Sequence, residues 1–315
     1  MQGFRKMAVF WLSLMLTNCL SAQNRAAYLT TGNNSTSIEH SNTKAIAHAI
    51  PFEKAGNLLL VKAELDGNEG VFILDTGAPT LVVNQQSAQE TIKAKGITGQ
   101  LSASDTFIKN FRWNNDEWKN LNGLCVDMRH FNDVNKNGVQ GLIGYEILKD
   151  YEVIVDPSAQ TIMLASNRKE LPYDPNTALV TLSMQQQDHM PVIELLINGK
   201  KILLGIDTGA EINFLDQSLF EKGQIKDFEE LGSGIVKGLG GNSERRERKV
   251  KVKNTQLGSI HLADQTFTVS DLSALFPHTA EDLKVQGIVG NAFLNQFRYS
   301  INYRKGNFII LGTVK

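Results

Sequence analysis

Two copies of one short motif supply the residues that could do chemistry. Asp75-Thr-Gly-Ala follows the apolar run Phe72-Ile-Leu, and Asp207-Thr-Gly-Ala follows Leu204-Gly-Ile. A carboxylate at the end of a buried strand needs hydrogen bonds or a partner, because burying an unpaired charge is costly. The glycine two residues after each Asp permits a tight turn whose backbone N–H groups face the carboxylate. Each motif therefore predicts an Asp held at the end of a strand for use in a reaction.

If the two turns meet, their carboxyl groups stand side by side. Two carboxylates that close cannot both ionise comfortably, so they share a proton and titrate as a coupled pair. One carboxylate would act as general base on a water molecule, and the neutral one would donate a hydrogen bond to a carbonyl group. The product would be a tetrahedral gem-diol formed without a covalent enzyme intermediate. This chemistry is amide hydrolysis, with Asp75 and Asp207 as the catalytic pair.

The two motifs belong to an internal repeat, which predicts the elements around them. They lie 207 − 75 = 132 residues apart. A second pair of blocks, Gly141–Asp156 and Gly287–Asn302, aligns without a gap at an offset of 287 − 141 = 146. Because the same two blocks occur twice in the same order, we predict a duplication with an N-terminal lobe over residues 45–173 and a C-terminal lobe over 174–315.

Short apolar or alternating runs predict an all-β architecture with a few short helices. Runs such as Leu58–Leu65 and Val192–Ile197 are bounded by Gly, Asn or Asp, which is typical of strands. Each second block predicts one short helix, near Tyr145–Lys149 and Asn291–Gln296, followed by a β-hairpin. The charged run Glu244–Lys253 alternates Lys with Val and predicts an exposed edge strand, where lysines oppose aggregation.

The paired Asp-Thr-Gly-Ala motifs, with the later Gly-Leu-Ile-Gly and Gly-Ile-Val-Gly blocks, resemble the aspartic peptidases over nearly all of residues 50–315. The bilobal arrangement is similar to pepsin, whereas the motif alanines and the compact lobes look like the retropepsin type. The resemblance implies two β-barrel-like lobes with the active site between them and Asp75 and Asp207 as the catalytic residues. It also implies that the hydroxyls of Thr76 and Thr208 interlock across the lobe interface. The supporting residues that it implies are Thr76, Gly77, Ala78, Thr208, Gly209 and Ala210.

One departure from the pepsin-like pattern concerns acidity. Pepsin-like enzymes usually carry Ser or Thr after the motif glycine, where the hydroxyl helps to hold the carboxylate ionised. Ala78 and Ala210 have no hydroxyl group. The sequence therefore predicts an activity optimum less acidic than that of a stomach pepsin.

Two glycine-bearing turns are candidates for flaps that cover the substrate and exclude water. Gly96–Gly99 ends 99 − 75 = 24 residues after Asp75, and Gly238–Gly241 ends 241 − 207 = 34 residues after Asp207. Ordinary turns are the alternative interpretation. The residues predicted to touch substrate are Ile97, Thr98, Gly99, Leu239, Gly240 and Gly241.

The first 22 residues predict a secretory signal peptide. A positively charged start precedes the mostly apolar run Met7–Leu20, which at 14 residues is too short to span a bilayer. Cleavage is expected after Ala22, and residues 23–44, rich in Asn, Ser and Thr, predict a flexible lead-in. We therefore expect an exported protein, periplasmic or extracellular, with no integral membrane span after signal removal.

A lipid anchor on Cys19 is the alternative to simple cleavage. Asn18 stands where such sites usually carry Gly, Ala or Ser, which favours cleavage over lipidation. After cleavage only Cys125 remains, so no internal disulfide can form. Its apolar neighbours predict an inert thiol buried in a strand.

Composition argues against several other classes of protein. The chain has 32 Lys+Arg against 33 Asp+Glu and a net charge of −1, whereas nucleic-acid binding needs an excess of basic residues. Six scattered His, no paired Cys and no phosphate-binding or dinucleotide motif give no support to a metal or cofactor. We expect a monomer without metal or cofactor that acts on a peptide or protein substrate.

Two alternatives remain open at the level of sequence. Both motifs could be capped turns in a β protein, although turns alone do not require the downstream partner block. The protein could also be a non-catalytic peptide-binding or scaffolding module that kept the fold, since a fold does not establish activity. The presence of both Asp75 and Asp207 favours the enzyme, because a binding module has no need for two carboxylates that repel each other.

Overall fold

The computed structural model describes residues 9–11, 38–42, 48–85, 92–96, 99–131, 138–238, 244–276 and 283–314. These residues are mostly β-strand with short helices, which confirms the predicted fold class. The N-terminal half means residues up to 173 below, and the C-terminal half means residues from 174 onward.

The strands of the N-terminal half are β1 (Val9–Trp11), β2 (Glu39–Asn42), β3 (Ile50–Ala55), β4 (Leu58–Leu65), β5 (Asn68–Leu74), β6 (Val82–Asn84), β7 (Ile92–Gly96), β8 (Gly99–Trp113), β9 (Asp116–Val126), β10 (Gly141–Ile143), β11 (Glu152–Asp156) and β12 (Thr161–Ala165). The strands of the C-terminal half are β13 (Val180–Ser183), β14 (Gln185–Gln187), β15 (Met190–Ile197), β16 (Lys200–Ile206), β17 (Phe214–Asp216), β18 (Phe228–Gly238), β19 (Glu244–Val252), β20 (Thr255–Leu257), β21 (Ile260–Leu262), β22 (Gln265–Ser270), β23 (Val285–Val289), β24 (Phe297–Asn302) and β25 (Asn307–Thr313).

Within the described ranges the α-helices are α1 (Tyr145–Leu148), α2 (Ser218–Glu221) and α3 (Asn291–Leu294), with single 3-10 turns at Arg129–Phe131, Arg168–Glu170 and Pro175–Thr177. The helices α1 and α3 start where the sequence predicted helices, and each ends within two residues of its predicted end. None of the helices described is both long enough and apolar enough to cross a membrane.

The strands form two sheets. One has the order β1-β18-β19-β22-β17-β23-β16-β15-β20-β21, with β14 paired to β15. The other has the order β13-β25-β24-β11-β12-β3-β4-β5-β10-β6-β9-β8-β7, with β2 paired to β9. The short strand β1 lies inside the predicted signal peptide and pairs in parallel with Val236–Gly238 of β18.

The strand that precedes each motif Asp has the same neighbours in both halves. In the N-terminal half β5 pairs in parallel with β10, and β10 then pairs antiparallel with β6. In the C-terminal half β16 pairs in parallel with β23, and β23 pairs antiparallel with β17. The second block of each half therefore lies directly beside the strand that carries the Asp.

The two halves share both a sheet and a core. Strand β11 of the N-terminal half pairs antiparallel with β24 of the C-terminal half, with Val155 opposite Tyr299. The largest cluster of buried apolar side chains draws on both halves, including Phe52 and Tyr151 from one and Tyr299 and Phe308 from the other. Two smaller clusters each lie within one half.

The prediction of an edge strand at Glu244–Lys253 is wrong. Most of this run forms β19, which has hydrogen-bonded partners on both sides, β18 and β22. The alternation of Lys and Val in β19 instead reflects the two faces of an interior strand, one towards the core and one towards solvent. Val250 and Val252 are buried in the core, while Lys251 is partly exposed and pairs with Glu229 of β18.

The predicted burial of Cys125 in a strand is confirmed. The thiol is free and buried in β9, where its Sγ lies 2.8 Å from the hydroxyl oxygen of Ser104. A small polar contact of this kind suits an inert core thiol.

Candidate active site

Asp75 follows the buried end of β5. The preceding residues Phe72–Leu74 have no exposed surface, and Asp75 itself is fully buried. Parallel pairing sets Leu74 opposite Ile143 of β10, so the Asp75 N–H donates to the Ile143 carbonyl at 3.0 Å. The second sequence block thus holds the backbone from which the first carboxyl group projects.

Asp207 is held in the same way in the other half. It follows Ile206, the last residue of β16, and is fully buried. Its N–H donates to the Val289 carbonyl of β23, also at 3.0 Å. The two Asp residues therefore have equivalent backbone supports.

Each carboxylate accepts a hydrogen bond from its own turn. The Gly77 N–H donates to Asp75 Oδ1 at 2.9 Å, and the Gly209 N–H donates to Asp207 Oδ1 at 2.8 Å. Such bonds stabilise the ionised form of a carboxyl group.

The two carboxyl groups lie against the opposite loops and within hydrogen-bonding reach of each other. An ideal Cβ placed on Gly209 would lie 2.4 Å from Asp75 Cγ, and one placed on Gly77 would lie 2.8 Å from Asp207 Cγ. Since real Cβ atoms do not come that close to another heavy atom, both positions require glycine. The sequence prediction that Asp75 and Asp207 come together matches this arrangement of atoms.

Proximity and burial give Asp75 a strong hold on a proton. Burial raises its pKa well above the usual Asp value, and the charge and hydrogen bonding of Asp207 raise it further. The N–H groups of Gly77 and Ala78 act in the opposite direction and lower it. Asp75 Oδ2 is buried and receives no hydrogen bond from a donor within the described residues. A single proton held between the two carboxyl groups would supply the missing donor.

Thr76 and Thr208 link the two loops by a reciprocal set of hydrogen bonds. The Thr76 hydroxyl donates to the Ile206 carbonyl at 2.8 Å, and the Thr208 hydroxyl donates to the Leu74 carbonyl at 2.8 Å. The N–H of each Thr donates to the hydroxyl oxygen of the other at 3.0 Å. Because all of these groups are buried, the network fixes the position of one Asp loop relative to the other.

The motif alanines are buried where the second block passes beside each loop. An ideal Cβ on Gly144 would lie 2.6 Å from the Ala78 carbonyl oxygen, and one on Gly290 would lie 2.6 Å from that of Ala210. The N–H of the residue after each of these glycines donates to the same carbonyl, at 2.9 Å and 2.8 Å. A larger residue in place of Gly144 or Gly290 would displace the loop that carries the Asp.

Side chains that the sequence did not predict reach each loop from the opposite half. His189 places Nε2 2.7 Å from the Gly77 carbonyl oxygen, across 112 residues of chain. Asn57 donates from its N–H to Glu211 Oε1 at 3.0 Å and from Nδ2 to the Glu211 carbonyl at 3.1 Å, across 154 residues. The repeat offers one signal for them, because 189 − 57 = 132 is the offset between the two motifs.

Two further polar side chains near the site were also missed. Asn291 is buried, and its Nδ2 donates to the Thr208 carbonyl at 2.6 Å. Tyr303 is buried with its hydroxyl unpaired within the described residues. Burial, followed by its neighbour Tyr145 and then by Asp75, raises the pKa of Tyr303 well above its usual value. Tyr303 is therefore a neutral phenol close enough to the pair to sense its charge.

The flap candidates fall mostly outside the described residues. Gly99 begins β8 and lies opposite Gly96, the last residue of β7, so the first candidate joins two paired strands. The second candidate joins β18 to β19, which also pair with each other. The residues that lie outside the described ranges are Ile97, Thr98, Leu239, Gly240 and Gly241.

A comparison with known protein families gave a match in the C-terminal half. Residues 193–293 match a family model described as aspartyl protease. The matched segment contains Asp207 and the Gly287–Gly290 block, while Asp75 precedes it. A comparison with curated proteins gave no match.

Proposed function

Because residues 193–293 match a family model described as aspartyl protease, we propose that the chain is an aspartic endopeptidase with Asp75 and Asp207 as its catalytic pair. The family match supports peptidase activity in general. The assignment of the two residues rests on the burial of both carboxyl groups and on their mutual hydrogen-bonding reach.

The proposed reaction uses one proton shared by the two carboxyl groups. The ionised carboxylate removes a proton from a water molecule, and the water oxygen attacks the carbonyl carbon of the peptide bond. The neutral carboxyl group donates its proton to the carbonyl oxygen, which gives a gem-diol. The carboxyl group that took the proton from water then donates it to the leaving nitrogen, while the other carboxylate removes a proton from one gem-diol hydroxyl. The C–N bond breaks, the products are a carboxylic acid and an amine, and the pair again holds one proton. No bond forms between the enzyme and the substrate.

The neighbouring residues fit this cycle. The raised pKa of Asp75 favours a protonated carboxyl group in the pair at pH values where an isolated Asp would be ionised. The N–H bonds from Gly77 and Gly209 stabilise the carboxylate that results when the proton is transferred. The threonine network keeps the two groups in register while the proton moves between them.

The proposal extends to the organisation and location of the protein. We infer two lobes, residues 45–173 and 174–315, that arose by duplication and form one active site as a monomer. We also infer export to the periplasm or the exterior after removal of residues 1–22. The equivalent strand neighbours of β5 and β16 support the duplication.

The observation that carries the proposal is the direct approach of each carboxyl group to the glycine of the opposite loop. A peptide-binding module without catalysis would gain nothing from two buried carboxyl groups that raise the free energy of the folded state. That module remains the second candidate function, and the experiment below separates the two.

The test is cleavage of a peptide library, with products identified by mass spectrometry. The wild-type chain is expected to cut peptide bonds, a statine-type inhibitor is expected to block it, and Asp75→Asn is expected to be inactive. Asp264→Asn, which changes an exposed Asp in the loop before β22, is the matched control and should cut normally. Unchanged cleavage by Asp75→Asn would refute the catalytic pair. Peptide binding without cleavage by the wild type would favour the binding module.

A further inference from the structure

A buried histidine of the C-terminal half contacts the loop that carries Asp75. His189 lies in the two-residue turn between β14 and β15 and is buried. Its Nε2 lies 2.7 Å from the Gly77 carbonyl oxygen. Since a carbonyl oxygen can only accept a hydrogen bond, the ring nitrogen must carry the proton and donate it.

This bond acts on a peptide group that adjoins the catalytic carboxyl group. The Gly77 carbonyl and the Ala78 N–H belong to the same peptide unit. That N–H donates to the main-chain carbonyl of Asp75 at 3.2 Å, and it is one of two N–H groups that lower the pKa of the Asp75 carboxyl group. A hydrogen bond received by a carbonyl polarises its peptide and strengthens the N–H as a donor. The imidazole therefore supports the ionised form of Asp75 through one peptide group.

The contact is one of a pair that differs between the halves. Asn57 occupies the place equivalent to His189 in the repeat and also reaches the loop of the other half, where it contacts Glu211. Only the His189 contact ends on a carbonyl of the motif itself, two residues after the Asp. The electrostatic support of the two Asp loops is thus unequal.

We propose that His189 is a positioning residue of the active site, which holds the Gly77–Ala78 peptide of the opposite half in the orientation that supports the Asp75 carboxylate. This inference rests on the proposed function and adds to it a residue that adjusts the acidity of the pair. His189 does not touch the reacting atoms.

The ionisable groups around this contact have defined effects. Burial lowers the pKa of His189, while the Gly77 carbonyl and Asp188 oppose that change, so the imidazole is neutral at neutral pH. Asp207 raises the pKa of Asp75. Asp75 in turn is one of the groups that raise the pKa of Tyr303, which keeps that phenol neutral. A neutral donor at position 189 is therefore enough for the proposed role.

Two substitutions separate the donor from the bulk of the ring. His189→Leu fills similar space without a donor, and His189→Gln can place an amide N–H near the position of Nε2. Loss of one such hydrogen bond should lower kcat/KM about three- to tenfold in His189→Leu, with recovery in His189→Gln. The pH profile of kcat/KM should move about half a unit to higher pH in His189→Leu alone, because the Asp75 carboxylate loses support.

His261→Leu is the matched control, because His261 is exposed on β21. It should leave both kcat/KM and the pH profile unchanged. An equal loss in His189→Leu and His189→Gln without a shift of the profile would reduce His189 to a packing role and overturn the proposal. Wild-type behaviour in His189→Leu would also overturn it.

A second measurement decides the same question without turnover. In a double-mutant cycle read by denaturant unfolding over a range of pH, Asp75→Asn should stabilise the chain more in the His189→Leu background than in the wild type at pH values where Asp75 is ionised, since the unsupported carboxylate is costlier. Equal stabilisation in both backgrounds would contradict the coupling of His189 to Asp75. If the wild type cuts no peptide, the proposed function fails while this cycle still tests the contact.

Discussion

Two buried carboxyl groups within reach of each other bind a proton more tightly than a solvated Asp does. In this protein burial and the neighbouring Asp207 raise the pKa of Asp75, and the N–H groups of Gly77 and Ala78 in its own turn partly offset that rise. Neither motif has a hydroxyl after its glycine, since Ala78 and Ala210 occupy those positions. The balance at this site therefore favours the protonated form.

The first prediction concerns the pH at which the enzyme works. Because the side chains of Ala78 and Ala210 have no hydroxyl group to donate to the ionised pair, the optimum of kcat/KM should be less acidic than that of a stomach pepsin. A pH-rate profile on a single cleaved peptide measures this. The Ala78→Ser variant should move the profile to lower pH, because its hydroxyl can donate to the carboxylate. A wild-type optimum at about pH 2, close to the lower pKa of the pepsin pair, would contradict the prediction.

The second prediction concerns stability. A carboxyl group whose pKa is raised by folding stabilises the protein fully below the pKa of the unfolded state, and this stabilisation is lost as the pH rises toward the folded pKa. Asp75→Asn removes that loss, so its Tm should exceed that of the wild type at pH 7 by at least about 2–4 °C, the shift that 1 kcal/mol gives in a chain of this size. The gain should shrink near pH 4. Thermal unfolding at both pH values measures it, and a lower Tm for Asp75→Asn at pH 7 would show that burial does not penalise the carboxylate.

At the residue scale, the sequence could predict the residues of a short motif that occurs twice in the chain. Asp75 and Asp207 were identifiable because each ends an apolar run and precedes Thr-Gly. His189 and Asn57 were not, because a polar residue in a turn most often faces solvent and their partners lie more than a hundred residues away. The proposed flap contacts stay predictions.

At the scale of elements, the loop after each strand is held by contacts from both halves. The turn between β3 and β4 forms a hydrogen bond with Glu211 in the loop after Asp207, a contact called the clasp below. Gly56 in that turn adopts φ +59°. An ideal Cβ on Gly56 would lie 1.9 Å from Glu211 Oε1. This turn therefore needs glycine both for its backbone conformation and for the close approach of the carboxylate.

The third prediction tests this clasp. Glu211→Ala removes the acceptor of the half-buried Asn57 N–H and should reduce the free energy of unfolding by about 1 kcal/mol, the usual net contribution of one hydrogen bond. Glu211→Gln keeps an amide oxygen at the same place and should lose less than half as much. Urea unfolding of both variants measures the difference. Equal losses would mean that packing, rather than the hydrogen bond, accounts for the role of Glu211.

The alternation of apolar residues was enough to locate several elements and not enough to pair them. Strand β4 and the starts of helices α1 and α3 match their predicted positions, and β15 begins two residues before its predicted start. The strand β19 was assigned to an edge because its lysines looked exposed, whereas the sheet continues on both sides of it. Side-chain alternation reports the two faces of a strand and carries no information about its two edges.

At the scale of the whole molecule, the two halves depend on each other. They share the strand pair β11 and β24 and one continuous core. They also share the threonine network that joins the two Asp loops. Under the proposed function, each half supplies one of the two catalytic Asp residues.

The fourth prediction follows from this shared core. Residues 45–173 expressed alone would expose one edge of β11 and apolar side chains that normally pack on Tyr299 and Phe308. Such a fragment should unfold, aggregate or pair with a second copy, because large exposed apolar patches favour association. Circular dichroism with analytical ultracentrifugation measures this. A folded monomeric fragment would contradict the mutual dependence of the halves.

The central claim, that Asp75 and Asp207 act as one unit, is tested most directly by kcat/KM for Asp75→Asn, Asp207→Asn and the double variant. Groups that share one proton fail together, so each single variant should lose about 10³-fold or more and the double variant should lose no more than either. Losses that multiply in the double variant, or substantial activity in either single variant, would contradict the claim.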